Sequence, residues 1–150
     1  MAWIPITEAD LLTAISGDEL SGLRETALGD GQADPVAPTI ARIVSRVRGD
    51  IASSGKFKLH VNPHYIHDRL LDAALSLIVM RFMSRPAAAV IDDKAGTRAK
   101  AAADAERLLE RVARGEFAIT DEAGTDQSGS AIRTVSSNPR PFTQAKMKGL

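Results

Sequence analysis

The sequence predicts an all-α fold: a small bundle of about four to five helices around a central apolar helix, with an extended loop or arm and a flexible C-terminal tail. Three observations carry that prediction. Residues 68–83, DRLLDAALSLIVMRFM, leave almost no polar face at a helical pitch, so a helix there must be enclosed on most sides. Val36, Ile40, Ile43, Val44, Val47 and Ile51 recur at three- and four-residue spacing, with Arg42, Arg46 and Arg48 mostly on the other side. Ala-rich helix formers then run to Arg114. The 150 residues fit one bundle domain, residues 1–120, followed by a tail, residues 121–150. Aromatic residues make up only 4%, so the core must be aliphatic.

Taken in order, Trp3-Ile4-Pro5-Ile6 is a short apolar start. Thr7-Glu8-Ala9-Asp10 then has the Ser/Thr-x-x-acid spacing that caps a helix, with Leu11, Leu12 and Ile15 on one side and Gly17 as its stop. Ser16-Gly17-Asp18-Glu19 repeats the cap, and Leu20, Leu23, Ala27 and Leu28 predict a second short helix before Gly29-Asp30-Gly31. That turn lacks the acidic series and bidentate Glu of a calcium loop, which leaves a solvent turn as the preferred reading. Asp34-Pro35 starts the third helix, with an acceptor at N-cap and proline at N1. Ser53-Ser54-Gly55 breaks it, and the alternation in Lys56–Val61 predicts an extended segment or a small hairpin arm.

Asn62-Pro63 is read as the start of the central helix and Ser84-Arg85-Pro86 as its end. Asp92-Asp93 starts the last helix. Leu108, Leu109 and Val112 form its apolar side, Ala101, Ala102, Ala103 and Ala105 permit close packing, Arg107, Arg111 and Arg114 complement the negative end of the dipole, and Gly115 is the stop. Phe117-Ala118-Ile119 follows as an apolar anchor. The central run falls short of the roughly 18 residues a bilayer span needs and is flanked by charges, so no membrane role is expected. Met1-Ala2-Trp3-Ile4-Pro5 has no basic start or long apolar run of a signal peptide.

Chemistry is hard to find in these residues. Cysteine is absent, which excludes disulfides, thiolate nucleophiles and Cys-ligated zinc. No GxSxG, P-loop or GxGxxG occurs, and no carboxylate pair is fixed at the spacing of an acid/base couple. His60, His64 and His67 invite a zinc reading, with Asp68 as a fourth ligand, but no HExxH motif or placed glutamate accompanies them. Capping, exposure or an interface role are the other readings. The expectation is a binding or assembly module with no catalytic residues, no metal and no cofactor.

The formal net charge of +0 hides a segregation. Residues 1–34 carry seven acids and one base, and residues 35–91 three acids and eight bases. Either the segments neutralise one another on packing, or an acidic edge meets a neighbour's basic edge in a head-to-tail ring. Residues 121–138 are polar and poor in bulky apolar side chains, which predicts flexibility when free. The last thirteen residues add two prolines, Phe142, Met147 and three bases, the make-up of a tail that docks.

Several landmarks then line up: the aromatic-apolar start into a Thr-capped helix, the acidic segment before the 35–51 helix, the central helix, a charged helix closing as Glu110-Arg111-Val112-Ala113-Arg114-Gly115-Glu116, and a tail with Pro139-Arg140-Pro141-Phe142-Thr143-Gln144 and Lys148-Gly149-Leu150. In this order they resemble the head–tail connector, or neck adaptor, proteins of tailed phages and Mu-like prophages. The resemblance implies a virion protein assembled in the host cytoplasm as a homo-oligomeric ring, a dodecamer, below the portal protein. Such a ring extends the DNA channel, lets genomic DNA pass without sequence-specific contacts, and meets a tail-side neck or tail-terminator protein. Carried onto this chain, portal binding falls on the tail, through Arg140, Phe142, Lys146, Met147, Lys148 and Leu150. Subunit interfaces fall on Arg42, Arg46, Arg48, Lys56, Phe57 and Lys58 against Asp18, Glu19 and Glu25. The loop 56–65 does not match the family pattern. The alternative is a small helical DNA-binding regulator that sets Arg42, Arg46 and Arg48 on phosphates.

Overall fold

Capping decides where the first helices begin. The computed structural model describes residues 2–85, 96–117 and 119. Helix α1 (Glu8–Ala14) and helix α2 (Gly17–Gly29) each open on a complete capping box, Thr7 with Asp10 and Ser16 with Glu19. The two helices nearly abut: Ile15 is extended and Ser16 already caps α2, so Gly17 is the first residue of α2 and not the stop of α1. A fresh cap three residues before Glu19 reorients the chain as effectively as a glycine stop would. Helix α3 (Val36–Ser53) starts one residue later than the proline rule places it. The Asp34 carboxylate accepts the Val36 N–H at 2.9 Å, and Pro35 sits at the N-cap.

The largest departure from expectation lies before the central helix. Asn62-Pro63 does not start a helix; the Asn62 side-chain oxygen accepts the His64 N–H at 3.0 Å, turning the chain. Strand β2 (Tyr65–His67) follows and pairs antiparallel with β1 (Trp3–Pro5), in the register Trp3 with His67, Ile4 with Ile66 and Pro5 with Tyr65. The ladder continues through the Asp68 N–H to the Ala2 carbonyl at 3.0 Å. Residues 56–61 form no strand and no hairpin; bends at 56, 57 and 61 frame irregular backbone. An extended stretch needs a partner for its backbone groups, and β1 is offered to 65–67 instead.

One tight 3₁₀ turn over Asp68–Leu70 then leads into helix α4 (Leu71–Met83). This is the expected central element. Leu70, Ala74, Ile78 and Phe82 are fully enclosed, and α4 packs against α1, α3 and α5 (Thr97–Ala113). Each large side chain so buried contributes about 1.5–3 kcal/mol, which makes α4 the hydrophobic axis of the bundle. Ala102 and Ala105 let α5 approach closely, and Leu109 and Val112 complete its buried side. Gly115 ends the segment with φ +69, the left-handed conformation that glycine adopts without a Cβ penalty. Ile119 is buried and Phe117 packs against the core, as the apolar anchor requires. The Asp92-Asp93 start and the tail from 121 onward lie outside the described residues. No helix among the described residues is long and apolar enough to cross a membrane.

Candidate interaction surface

Between α3, α4 and α5 lies a groove with an apolar floor, and its rim carries Arg42, Arg81 and the mutually paired Arg46 and Glu106. Ile43, Leu77, Met80 and Ala102 line one compartment of about 580 Å³. Arg42, Arg81 and Ser84 border it and also line an adjoining compartment of about 410 Å³, which Arg85 and Thr39 share. Helix geometry sets this up. Arg81 and Arg85 are four residues apart at the end of α4, and Arg42 lies on the side of α3 opposite its buried Val44, Val47 and Ile51. Arg42 and Arg81 are exposed and make no ion pair among the described residues; Arg85 donates to the Gln32 side-chain oxygen at 2.7 Å. Met80 stays 39% exposed, a conspicuous state for a large apolar side chain on the most apolar helix.

The other basic candidates are spent inside the chain. Arg46 of α3 forms a two-pronged ion pair with Glu106 of α5, which raises the guanidinium's affinity for its proton and clasps the two helices. Nearby Asp50 is pushed up by burial, against the pull of Arg46. Arg48 donates to three backbone carbonyls, His60 at 2.7 Å, Asn62 at 3.0 Å and Tyr65 at 2.7 Å, and its guanidinium lies 5.9 Å from the Trp3 ring centre. Two of the three guanidiniums that a DNA regulator would place on phosphates are thus engaged with the chain's own groups. The Lys56 ammonium donates to the Gly115 carbonyl at 2.7 Å, Phe57 packs against the core, and Lys58 is exposed.

The acidic candidates divide in the same way. Glu19 holds Arg98 of α5 at 2.8 and 3.0 Å while capping Ser16. That hydrogen-bonded guanidinium outweighs the effect of burial and holds the Glu19 carboxyl down at about 2. Arg24 bridges Glu8 and Asp34, tying α2 to the start of α1 and the approach to α3; its hydrogen bonds also hold Glu8 below the ordinary carboxylate range. Asp18 and Glu25 remain exposed, with no ion pair among the described residues. On α2 they share an outer stripe with Ser21 and Leu28, and Leu28, expected on the buried side, is 64% exposed. Leu20, Leu23 and Ala27 suffice for the buried side, so helical phase carries Leu28 outward.

The histidines do not converge on a metal: no group of three or more His, Cys, Asp or Glu side chains with ligand geometry occurs among the described residues. His60 and His67 join an aromatic cluster. His60 stacks on Tyr65 at 5.0 Å with 9° between ring planes, Trp3 lies 6.1 Å from His60, and the buried His67 meets Trp3 edge-on at 5.8 Å. His64 is exposed. His67 Nδ1 sits 3.0 Å from an Asp68 carboxylate oxygen that also accepts the Arg69 N–H at 2.7 Å, so this histidine belongs to the start of the central helix. Sequence reasoning missed Arg81, Arg85 and Met80 as a surface. The available signal was Arg81 within a largely apolar helix and Arg85 just past its end. The six tail candidates, Arg140 through Leu150, lie outside the described residues. Comparison of this chain with protein-family models, curated proteins and solved structures gives no match.

Proposed function

We propose that this chain is a structural subunit of a tailed-phage neck, a head–tail connector that assembles as a ring below the portal, extends the DNA channel and joins the packaged head to the tail. The supporting observation is that a helical subunit keeps uncompensated surface charge of both signs on different elements: Asp18 and Glu25 on α2, Arg42 and Arg81 on α3 and α4. Among the described residues Arg46, Glu19, Arg24, Arg107 and Arg114 are held in ion pairs and Arg48 is engaged by backbone carbonyls, while those four side chains make no ion pair. A surplus of each sign on distinct surfaces suits a heterologous contact, the type that closes into a ring when the rotation between subunits is right. The order of sequence landmarks from Trp3 to the Arg140-Pro141-Phe142 tail supplies the neck assignment.

In this reading the tail docks on the portal through Arg140, Phe142, Lys146, Met147, Lys148 and Leu150, with an ordering cost offset by portal contacts. Function is structural, with no reaction assigned. The test is genetic and morphological. Particles assembled without the protein should contain packaged DNA-filled heads lacking tails, and supplying the protein should restore joining. Tailed, infectious particles made in its absence would refute the assignment.

A further inference from the structure

The groove and the α2 stripe are complementary in charge, and each exposes an apolar side chain. The groove offers Ile43, Leu77 and Met80 beneath Arg42 and Arg81. The stripe offers one exposed leucine, Leu28, beside Glu25 and Asp18. Positions 18, 25 and 28 fall within about 80° of one another on a helix turning 100° per residue, so one helix edge presents all three. We propose that the α3/α4/α5 groove of one copy receives the outer edge of α2 of a second copy, with Leu28 on the Met80 floor and Glu25 and Asp18 facing Arg42 and Arg81. This names the contact beneath the self-assembly part of the proposed function and rests on that part alone.

Three features favour this occupant. A basic rim rejects a basic ligand, and the chain's own segment 123–150, with four bases and one acid, carries the wrong sign. Among the described residues the carboxylates of the acidic stripe make no ion pair, since the ion pairs of α2 are made by Glu19 and Arg24. A groove-to-stripe contact repeated in one rotational sense is head-to-tail, and each copy then retains one free groove and one free stripe until a ring closes. Apolar burial of Leu28 against Met80 holds the pair, and the charges fix its register and exclude a two-fold arrangement that would set like charges together.

The experiment is charge exchange in the purified full-length protein, read by sedimentation velocity. Arg42→Glu/Arg81→Glu and Asp18→Arg/Glu25→Arg should each weaken self-association by about tenfold or more, while helicity and melting show that the exposed substitutions leave the fold intact. Mixing the two variants should restore association in alternating copies, because the acidic groove then meets the basic stripe and the native groove meets the native stripe. Leu28→Ser alone, with no charge changed, should also weaken it. A wild-type protein that never self-associates, reversals without effect, or a mixture that fails to recover each overturns the proposed contact. The particle phenotype is independent of this readout. Failure here leaves the neck assignment standing, and tailed particles made without the protein leave the contact standing.

Discussion

Arg48 shows how far a residue's role can sit from its charge. Its sign groups it with Arg42 and Arg46, but at 100° per residue it stands about 200° around α3 from Arg46, and its guanidinium collects three carbonyls of the 60–65 turn and approaches Trp3. The planar fork of arginine reaches several carbonyls at once where an ammonium is a single point. Arg48→Ala should cost about 1.5–3 kcal/mol in denaturant unfolding, with Arg48→Lys recovering only part, and should shift the fluorescence of Trp3, the single tryptophan. A substitution with neither effect would remove Arg48 from its place as organiser of the turn. Glu19 makes the second residue-scale prediction. Its carboxyl is held at about 2 against an ordinary value of 4.5, so its stabilisation is complete above pH 4.5 and is lost as pH falls toward 2. Because the pair is partly open to solvent, the contribution is on the order of 1–2 kcal/mol. The difference in unfolding free energy between wild type and Glu19→Gln should therefore be present at neutral pH and shrink through that window; a constant difference would refute the linkage.

Elements of this protein are decided by what surrounds them. α4 forms where apolar density is highest and closes its sides with α1, α3 and α5. Leu75→Asp and Ile78→Asp each place a charge with no partner in that interior and should abolish cooperative folding, seen as loss of the thermal transition and of helicity. A soluble variant with native helicity would mean that α4 is less enclosed than its burial indicates. The β1–β2 ladder is the opposite case, since neither three-residue strand stabilises itself. Each exists because the other supplies its hydrogen bonds and because Trp3, His60, Tyr65 and His67 close over the junction. A pairing between residues 3–5 and 65–67 leaves almost no local trace, which is why Asn62-Pro63 reads as a helix start when it is a turn into a strand.

At the scale of the whole molecule, charge divides between interior use and export. The ion pairs Arg46–Glu106 and Arg98–Glu19 fasten α5 to α3 and α2, whereas Arg42, Arg81, Asp18 and Glu25 stay on the surface. The proposed contacts between copies through those four would be exposed at their rims and therefore screened by salt. Raising ionic strength from low to near-molar should weaken wild-type self-association and leave the melting transition nearly unchanged; an association that strengthens with salt would point to apolar contact alone. By itself the sequence determined the helical class, the central helix, both capping boxes, the Gly115 stop and the segregation of charge, because helix periodicity, caps and composition are local and additive. Only the tertiary structure decided which charges are spent, that Leu28 and Met80 remain outside, and that His60 and His67 pack beside Trp3. Those outcomes depend on residues such as Arg46 and Glu106, sixty positions apart, and no local pattern encodes the meeting of two such side chains.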